Sequence, residues 1–196
     1  MPILGIVASS NYPRVTDTGV MFPISTITVG SAGAASVTFS SIPQTYTHLQ
    51  VRAFSKSNYS AGTDLDGCSL RFNSDSGSNY ADHWIIANGS AVNAGGDINR
   101  SYMALYQQNN NTYSVSSFAV GIIDILDYTN TNKFKTTRTL GGSDTNGTGN
   151  EKGSLSLWSG LWRSTSAITS ITLQSGAMNR GFPQYSQFAL YGIKGA

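Results

Sequence analysis

The sequence predicts an all-β fold, an antiparallel sandwich or barrel, and three observations lead to this prediction. Apolar and polar residues alternate with a period of two in about ten segments, which is the pattern of half-buried strands. Gly, Pro, Asn or Ser bounds each segment, and these residues favour turns. No segment has the period of an amphipathic helix of useful length. One such domain can use a chain of 196 residues without a second core.

The first two strands are expected at 24–29 and 35–39. Between them lies Gly30-Ser-Ala-Gly33, a short glycine-containing connection that indicates a hairpin. Pro43 ends that pairing. The further strands are expected at 49–54, 69–73, 82–87, 101–107, 116–126, 134–140, 154–161, 167–173 and 187–193.

Turn chemistry predicts the connections between the later strands. Asn88-Gly89 is the dipeptide that most favours positive φ at both turn positions, and it predicts a second hairpin. The polar run 108–112 predicts a loop, and the Gly-rich run 141–150 predicts the longest one. Residues 127–133 lack strand alternation, so a short helical turn is an alternative there.

The last strand lies close to the C-terminus. One of its faces carries Phe188, Leu190 and Gly192, and the other carries Ala189, Tyr191 and Ile193. Because both faces carry apolar groups, we expect this strand inside a sheet rather than at a solvated edge.

Residues 1–22 differ from the single sandwich domain expected at 23–196. They contain an apolar patch without clean alternation, followed by an aromatic residue: Ile3, Leu4, Ile6, Val7 and Tyr12. The segment is either a first strand of the same sandwich or an arm that docks on a neighbouring subunit, since extended chain can add to a foreign sheet edge through its main chain.

Charge is sparse along the chain. Only 11% of the residues are charged, against about 25% in a typical soluble domain. This composition suits either a surface that meets other protein or an uncharged, hydrated surface. The formal net charge is +2 with scattered Lys and Arg, so nucleic acid is not an expected partner. No apolar run approaches the length of a spanning helix, so membrane insertion is not expected.

The residues capable of acid-base chemistry form no catalytic pattern. His48 and His83 both begin predicted strands, where a hydrogen-bonded imidazole is the usual case. Asp64 and Asp66 could contribute to a calcium site, but a solvated turn is the favoured interpretation. Asp124 interrupts an apolar strand and should pair with a backbone donor or a basic group, or face a subunit contact. We therefore expect no catalytic residue, cofactor or metal.

Aromatic side chains are the remaining candidates for binding. Core packing is expected for most of them, but aromatic rings also supply contact area at low entropic cost. Tyr106 and Tyr113, near the Asn-rich loop, and Trp84 are the candidates for contact with a glycan. Trp158 and Trp162 could form a sugar-stacking or protein-contact surface in the same way.

Five segments resemble small virion structural proteins of tailed bacteriophages. They are residues 2–10, 27–30 with 35–43, 45–52, 160–172 and 188–196. The resemblance implies a jelly-roll sandwich that assembles as an oligomer, often a trimer, on the outside of the particle. Proteins of this kind serve as capsid cement or decoration proteins or as tail-associated adhesins. The resembling motifs are strand and turn sequences, so they imply no catalytic residue.

The expected function is therefore non-enzymatic. The favoured interpretation is a capsid decoration protein, assembled in the host cytoplasm, that binds the major capsid protein on the outer head surface and holds it through an N-terminal arm. The alternative is a receptor-binding module of the tail or a head fibre that recognises host surface glycan through Tyr106, Tyr113 and Trp84. A glycan-degrading enzyme is a third interpretation, which needs two convergent carboxylates.

Overall fold

The computed structural model describes residues 20–60, 65–110, 116–146 and 153–195. These ranges contain twelve strands and no helix. The strands are β1 Met21–Thr28, β2 Val37–Phe39, β3 His48–Ser55, β4 Leu65–Phe72, β5 Tyr80–Ala87, β6 Val92–Arg100, β7 Met103–Asn109, β8 Ala119–Leu126, β9 Lys135–Asp144, β10 Gly153–Trp162, β11 Ile171–Ser175 and β12 Gln187–Ile193. The candidate arm residues Ile3, Leu4, Ile6, Val7 and Tyr12 lie outside the described residues, as does Tyr113.

The strands form two antiparallel sheets, so the predicted all-β sandwich is confirmed. The larger sheet has eight strands in the order β1-β12-β3-β8-β9-β10-β5-β6. The smaller sheet has four strands in the order β2-β11-β4-β7. The hydrophobic core lies between them, and its most deeply buried side chains include Leu49, Val51, Leu70, Phe72, Leu105, Ile123, Ile125, Ile171, Leu173 and Phe188.

The strand pairing is nested along the chain. Strand β1 pairs with β12, β2 with β11, β3 with β8 and β4 with β7. Two hairpins interrupt this order: β5–β6 lies between β4 and β7, and β9–β10 lies between β8 and β11. The two hairpins join side by side through β10 and β5. They extend the larger sheet past the edge of the smaller one.

The predicted hairpin at Gly30-Ser-Ala-Gly33 is wrong. A turn does occur there, since the Gly33 N–H donates to the Gly30 carbonyl at 3.0 Å and Gly33 has a φ of 70°. However, β1 pairs with β12 in the larger sheet, whereas β2 pairs with β11 in the smaller one. The turn therefore carries the chain from one sheet to the other.

The predicted hairpin at Asn88-Gly89 is confirmed. Strands β5 and β6 pair across this turn, where the Asn88 N–H donates to the Ala91 carbonyl at 3.1 Å and Gly89 has a φ of 84°. Strand β6 itself has no counterpart among the predicted strands, because Asn, Gly and Asp break its apolar alternation.

Two predicted loops prove shorter than expected. Gly141–Asp144 belongs to β9, where these residues pair with 153–156 of β10. Gln108 and Asn109 belong to β7 and are fully buried. The Gln108 amide is satisfied there, since it accepts from Ser55 Oγ at 2.6 Å and donates to Ser175 Oγ at 2.9 Å. Residues 127–133 form turns and bends rather than a helix.

The C-terminal strand lies inside the larger sheet, as predicted. Strand β12 pairs with β1 on one side and β3 on the other. Phe188, Leu190 and Gly192 are buried, whereas Ala189 and its neighbours on the opposite face are half-buried. A side chain at position 192 would overlap the Tyr46 ring, whose nearest atoms lie 2.3 Å from an added Cβ.

Candidate functional site

The extension of the larger sheet creates a groove on its inner face. Strand β7, the edge of the smaller sheet, packs over β9 and β10 and makes few contacts with β5. Strand β6 lies beyond this cover and is exposed along most of its length. The uncovered inner face of β5 and β10, strands β4 and β7 and residues 176–180 border an open cavity of about 480 Å³. We call this cavity the tryptophan groove.

Two indole rings form the aromatic wall of the tryptophan groove. Trp84 of β5 faces Trp158 of β10 directly across the strand pair, with ring centroids 5.8 Å apart and ring planes at 37°. On its other side Trp84 faces Gly95 of β6. An added Cβ at Gly95 would lie 2.6 Å from the Trp84 ring, so only glycine lets the indole lie against β6.

Polar side chains form the opposite wall. Arg180 Nη1 donates to Asp66 Oδ1 at 2.8 Å. Asp66 also accepts hydrogen bonds from Ser57 Oγ and Ser175 Oγ at 2.6 and 2.9 Å, and the Arg180 guanidinium lies 3.4 Å from the ring centroid of Tyr59. These contacts hold both charged groups in one geometry.

The arginine at the other end of the groove is also paired. Arg100 Nη1 contacts Asp97 Oδ2 at 2.5 Å and lies 3.9 Å from Asp82 Oδ1. Its guanidinium stacks on the Tyr102 ring at 4.2 Å. Burial raises the pKa of Asp82 above its ordinary value, against hydrogen bonding from the Ala104 N–H and the charge of Arg100. Both arginines that line the groove therefore have carboxylate partners.

Three buried polar atoms beneath the aromatic wall have no hydrogen-bond partner among the described residues. They are Trp158 Nε1, Thr139 Oγ1 and Ser156 Oγ. Thr139 faces Trp158 directly across β9 and β10, and Ser156 precedes Trp158 by two residues on the same face of β10. Buried polar atoms are usually paired; of these three residues only Trp158 lines the groove.

The structure separates the aromatic candidates that the sequence grouped together. Trp84 lines the tryptophan groove. The predicted loop position of Tyr106 is wrong: this residue belongs to β7, is 1% exposed and shares a hydrogen bond of 2.7 Å with Ser55 Oγ, although it also borders the groove. Its ring packs against Gly121 and Gly141 of the larger sheet. Tyr113 lies outside the described residues.

The other two tryptophans take different roles. Trp162 is 2% exposed and packs in the core, where its Nε1 donates to Asp75 Oδ2 at 2.7 Å. Trp158 joins Trp84 in the groove, a contact that depends on the pairing of β10 with β5. That pairing joins strands about 70 residues apart and left no signal in the local sequence.

The outer face of the larger sheet carries a second feature, an apolar strip. Seven of its side chains are between 39% and 61% exposed: Phe54, Ile85, Val120, Ile122, Leu140, Leu155 and Leu157. One row of the strip crosses four neighbouring strands, since Ile122 faces Leu140, Leu140 faces Leu157 and Leu157 faces Ile85. In the next row Phe54 faces Val120, and Gly142 separates Val120 from Leu155.

Polar residues border the apolar strip. Asp124 accepts from Gln50 Nε2 at 2.8 Å and from Arg138 Nη2 at 2.9 Å, which confirms that it pairs with a basic group. Arg138 faces Asp124 across β8 and β9 and is itself 73% exposed. The strip thus has an apolar centre and a charged rim.

The two histidines lie apart from the groove. His48 Nδ1 accepts from the Asp127 N–H at 3.0 Å, and Lys133 forms an ion pair with Asp127 that holds the pKa of that carboxyl below its ordinary value. His83 is exposed on β5. In the described part of the chain, no three His, Cys, Asp or Glu side chains are grouped so that they could hold a metal ion. None of the described segments is a helix long and apolar enough to span a membrane.

Comparison with known proteins gives one distant structural neighbour. No family model matches the chain, and no curated protein matches it. Among solved structures, the Bacteroides ovatus xyloglucan PUL GH43B aligns with 82% of this chain at 10% identity and a TM-score of 0.31. The chain spans about a third of that protein, since the match covers 32% of its length. A likeness at this level carries no argument.

Proposed function

We propose that this chain is a non-enzymatic structural protein of a tailed-bacteriophage virion, a decoration protein that self-associates and binds the major capsid protein on the outer head surface. The apolar strip is the main observation in favour of self-association. The resemblance of five segments to phage virion proteins supports the place on the particle.

The nested strand pairing supports a jelly-roll fold. Four nested strand pairs distributed over two four-stranded sheets are the arrangement expected of a jelly roll, a fold used by viral capsid and lectin domains. Here β1-β12-β3-β8 and β2-β11-β4-β7 supply those two sheets. We therefore infer a jelly roll in which two inserted hairpins widen one sheet.

The partner proposed for the apolar strip is a second copy of the chain. Eight strands about 4.8 Å apart and about 27 Å long give the outer face an area on the order of 900 Å². A stable protein interface uses about 800 Å² from each partner, so an interface that uses the whole outer face, with the apolar strip at its centre, is large enough. Its apolar centre and charged rim match the usual anatomy of an interface.

A copy of the same chain also fits the strip chemically. Isologous contacts bring one patch against itself, which suits a strip whose central rows are uncharged. The rim supplies Asp124 and Arg138, which carry opposite charges and face each other within one subunit. Two copies related by symmetry can exchange these partners without leaving a like-charge contact.

The capsid contact is assigned to the N-terminal arm. Residues 2–10 are among the segments that resemble phage virion proteins, and an extended arm can add to a sheet edge of another subunit. Deleting residues 1–12 should abolish co-sedimentation with undecorated capsids while the melting temperature of the remaining domain is kept. A melted domain would instead favour a first strand of the sandwich.

Immunogold electron microscopy of intact virions tests the proposed position. Label spread over the head would support decoration. Label confined to the tail tip would overturn it in favour of a receptor-binding module. Analytical ultracentrifugation of the purified chain tests self-association separately, and a chain that stays monomeric well above the concentration used for capsid binding would remove the role given to the apolar strip.

A further inference from the structure

We infer that the tryptophan groove is a binding site for a neutral oligosaccharide. This inference concerns a different surface from the apolar strip and does not rest on the position of the protein in the virion. The aromatic wall and the polar wall of the groove are the observations behind it.

The size and lining of the groove suit a small ligand. Its volume of about 480 Å³ falls within the range of about 300–1,000 Å³ that is typical of ligand sites. Such sites combine apolar and aromatic surface with a few well-placed polar groups. Trp84 and Trp158 supply the first, and Gln107, Asn179 and the Asp66–Arg180 pair supply the second.

The aromatic wall favours a ligand with a flat apolar face. Trp84 is half-buried, so part of its ring remains accessible, and Gly95 leaves room for the ring to lie along β6. Tryptophan offers a large rigid surface with a polar N–H at one edge. A pyranose ring has the matching character, because its C–H groups form an apolar face and its hydroxyls form a polar rim.

The polar groups favour hydroxyls as their partners. Trp158 Nε1 is buried within the wall, so the polar partners that a ligand can reach are side-chain amides. The Gln107 and Asn179 amides each combine a donor and an acceptor, and both line the groove. A sugar hydroxyl also donates and accepts, so it can satisfy either end of these groups.

The charges of the groove favour a neutral ligand over a phosphate or a carboxylate. An anionic ligand needs an available cation, but Arg180 is paired with Asp66 at 2.8 Å and Arg100 with Asp97 at 2.5 Å. Releasing Arg180 would leave the Asp66 carboxylate, whose side chain is 7% exposed, without its cation. Releasing Arg100 would do the same to the buried Asp82 carboxylate 3.9 Å away, and a buried carboxylate without a cation is costly. A nucleotide could stack on Trp84, but its phosphate would meet this same obstacle.

The test is a glycan array that holds neutral and anionic oligosaccharides from bacterial surfaces, followed by calorimetric titration of the strongest ligand. The intact chain should bind at least one neutral oligosaccharide. Trp84→Ala should weaken that binding about tenfold or more, because truncation of a central anchor has effects of this size. Asn179→Ala should weaken it to a smaller extent, because Asn179 is exposed. Tyr185→Ala is the matched control, since Tyr185 is 65% exposed and does not line the groove.

Two further measurements keep the inference falsifiable. Thermal melting shows whether Trp84→Ala still folds, and Asn179→Ala alters an exposed loop residue with little risk to the core. The affinity should change less than about twofold between low and high salt, because a neutral ligand is insensitive to screening. The inference would be overturned if the chain bound no neutral oligosaccharide on the array, or if it bound only anionic glycans or nucleotides. Equal affinity in all three variants would overturn it as well. Each of these results leaves the ultracentrifugation result, and with it the proposed self-association, untouched.

Discussion

Arg180 and Asp66 form an ion pair of 2.8 Å that ties the segment before β12 to strand β4. The Asp66 side chain is 7% exposed and that of Arg180 is 30% exposed. The pair is therefore held largely away from solvent, and it is joined to the hydroxyls of Ser57 and Ser175.

Asp66→Ala should lower the free energy of unfolding by about 2–4 kcal/mol, because it leaves a partly buried guanidinium and two hydroxyls without their acceptor. Urea unfolding at pH 7 measures the change. Asp97→Ala is the control: its side chain is 54% exposed, so its loss should cost less than about 1 kcal/mol. Equal losses in the two variants would contradict the structural role of the Asp66–Arg180 pair.

Asp75 should make stability depend on pH in the acid range. Burial would raise the pKa of this carboxyl, but hydrogen bonds from Trp162, Asn79 and the Gly77 N–H outweigh burial and hold the pKa below its ordinary value. A lowered folded-state pKa contributes stability above the unfolded value of about 3.9. That contribution is lost as the pH falls through the lower, folded-state value.

Asp75→Asn should therefore flatten the fall in stability below about pH 4 and lower stability at pH 7 by about 1–2 kcal/mol. Urea midpoints measured at intervals from pH 7 to pH 2 give both quantities. If the curves of the variant and the natural chain run parallel, the hydrogen bonds to Asp75 do not favour its charged form.

Gly121→Ala should destabilise the core beneath Tyr106. An added Cβ at Gly121 would lie 2.4 Å from the Tyr106 ring, and that ring is fully enclosed. Overpacking of this kind costs about 1–3 kcal/mol. Gly30→Ala is the matched control because an added Cβ there meets nothing within 4 Å, and its effect should stay within about 0.5 kcal/mol. Thermal and urea unfolding of both variants measure these two changes in the free energy of unfolding.

Leu157→Lys should weaken self-association about 100-fold or more. Leu157 lies at the centre of the apolar strip between Leu140 and Ile85, and a buried unpaired ammonium is strongly unfavourable at an interface. At 46% exposure in the single chain, its replacement should leave the fold intact. Sedimentation velocity over a concentration series gives the association constant. Thr38→Lys, on the exposed face of the smaller sheet, should change nothing; an equal loss there would point to a general charge effect.

Local sequence patterns predicted where the strands lie better than they predicted which strands pair with each other. The Asn88-Gly89 turn joins strands that pair with each other, so its chemistry alone predicted the hairpin. The turn at Gly30–Gly33 has equally clear chemistry, but β2 pairs with β11. That choice rests on contacts between residues more than 130 positions apart, which no local pattern records.

The candidate site was harder to predict for the same reason. Trp84 could be singled out as an aromatic residue in a predicted strand, but Trp158 became its neighbour only through the β5–β10 pairing. The loop position predicted for Tyr106 was wrong because the polar run after it indicated a loop. Gln108 and Asn109 in fact continue the strand and are buried. The apolar alternation in β10 correctly placed Leu157 and Trp158 on opposite faces of the strand. Alternation does not say which of the two faces the smaller sheet covers.

The widened sheet has one consequence for how the chain must fold. Trp84 and Ile85 are consecutive residues of β5 that point to opposite faces, and Trp158 and Leu157 of β10 do the same. A slip of one residue along β5 would therefore turn an indole outward and an aliphatic side chain inward, exchanging the characters of the two surfaces. Both surfaces therefore depend on one register, the pairing of β5 with β10, which sets Trp84 opposite Trp158 and Ile85 opposite Leu157.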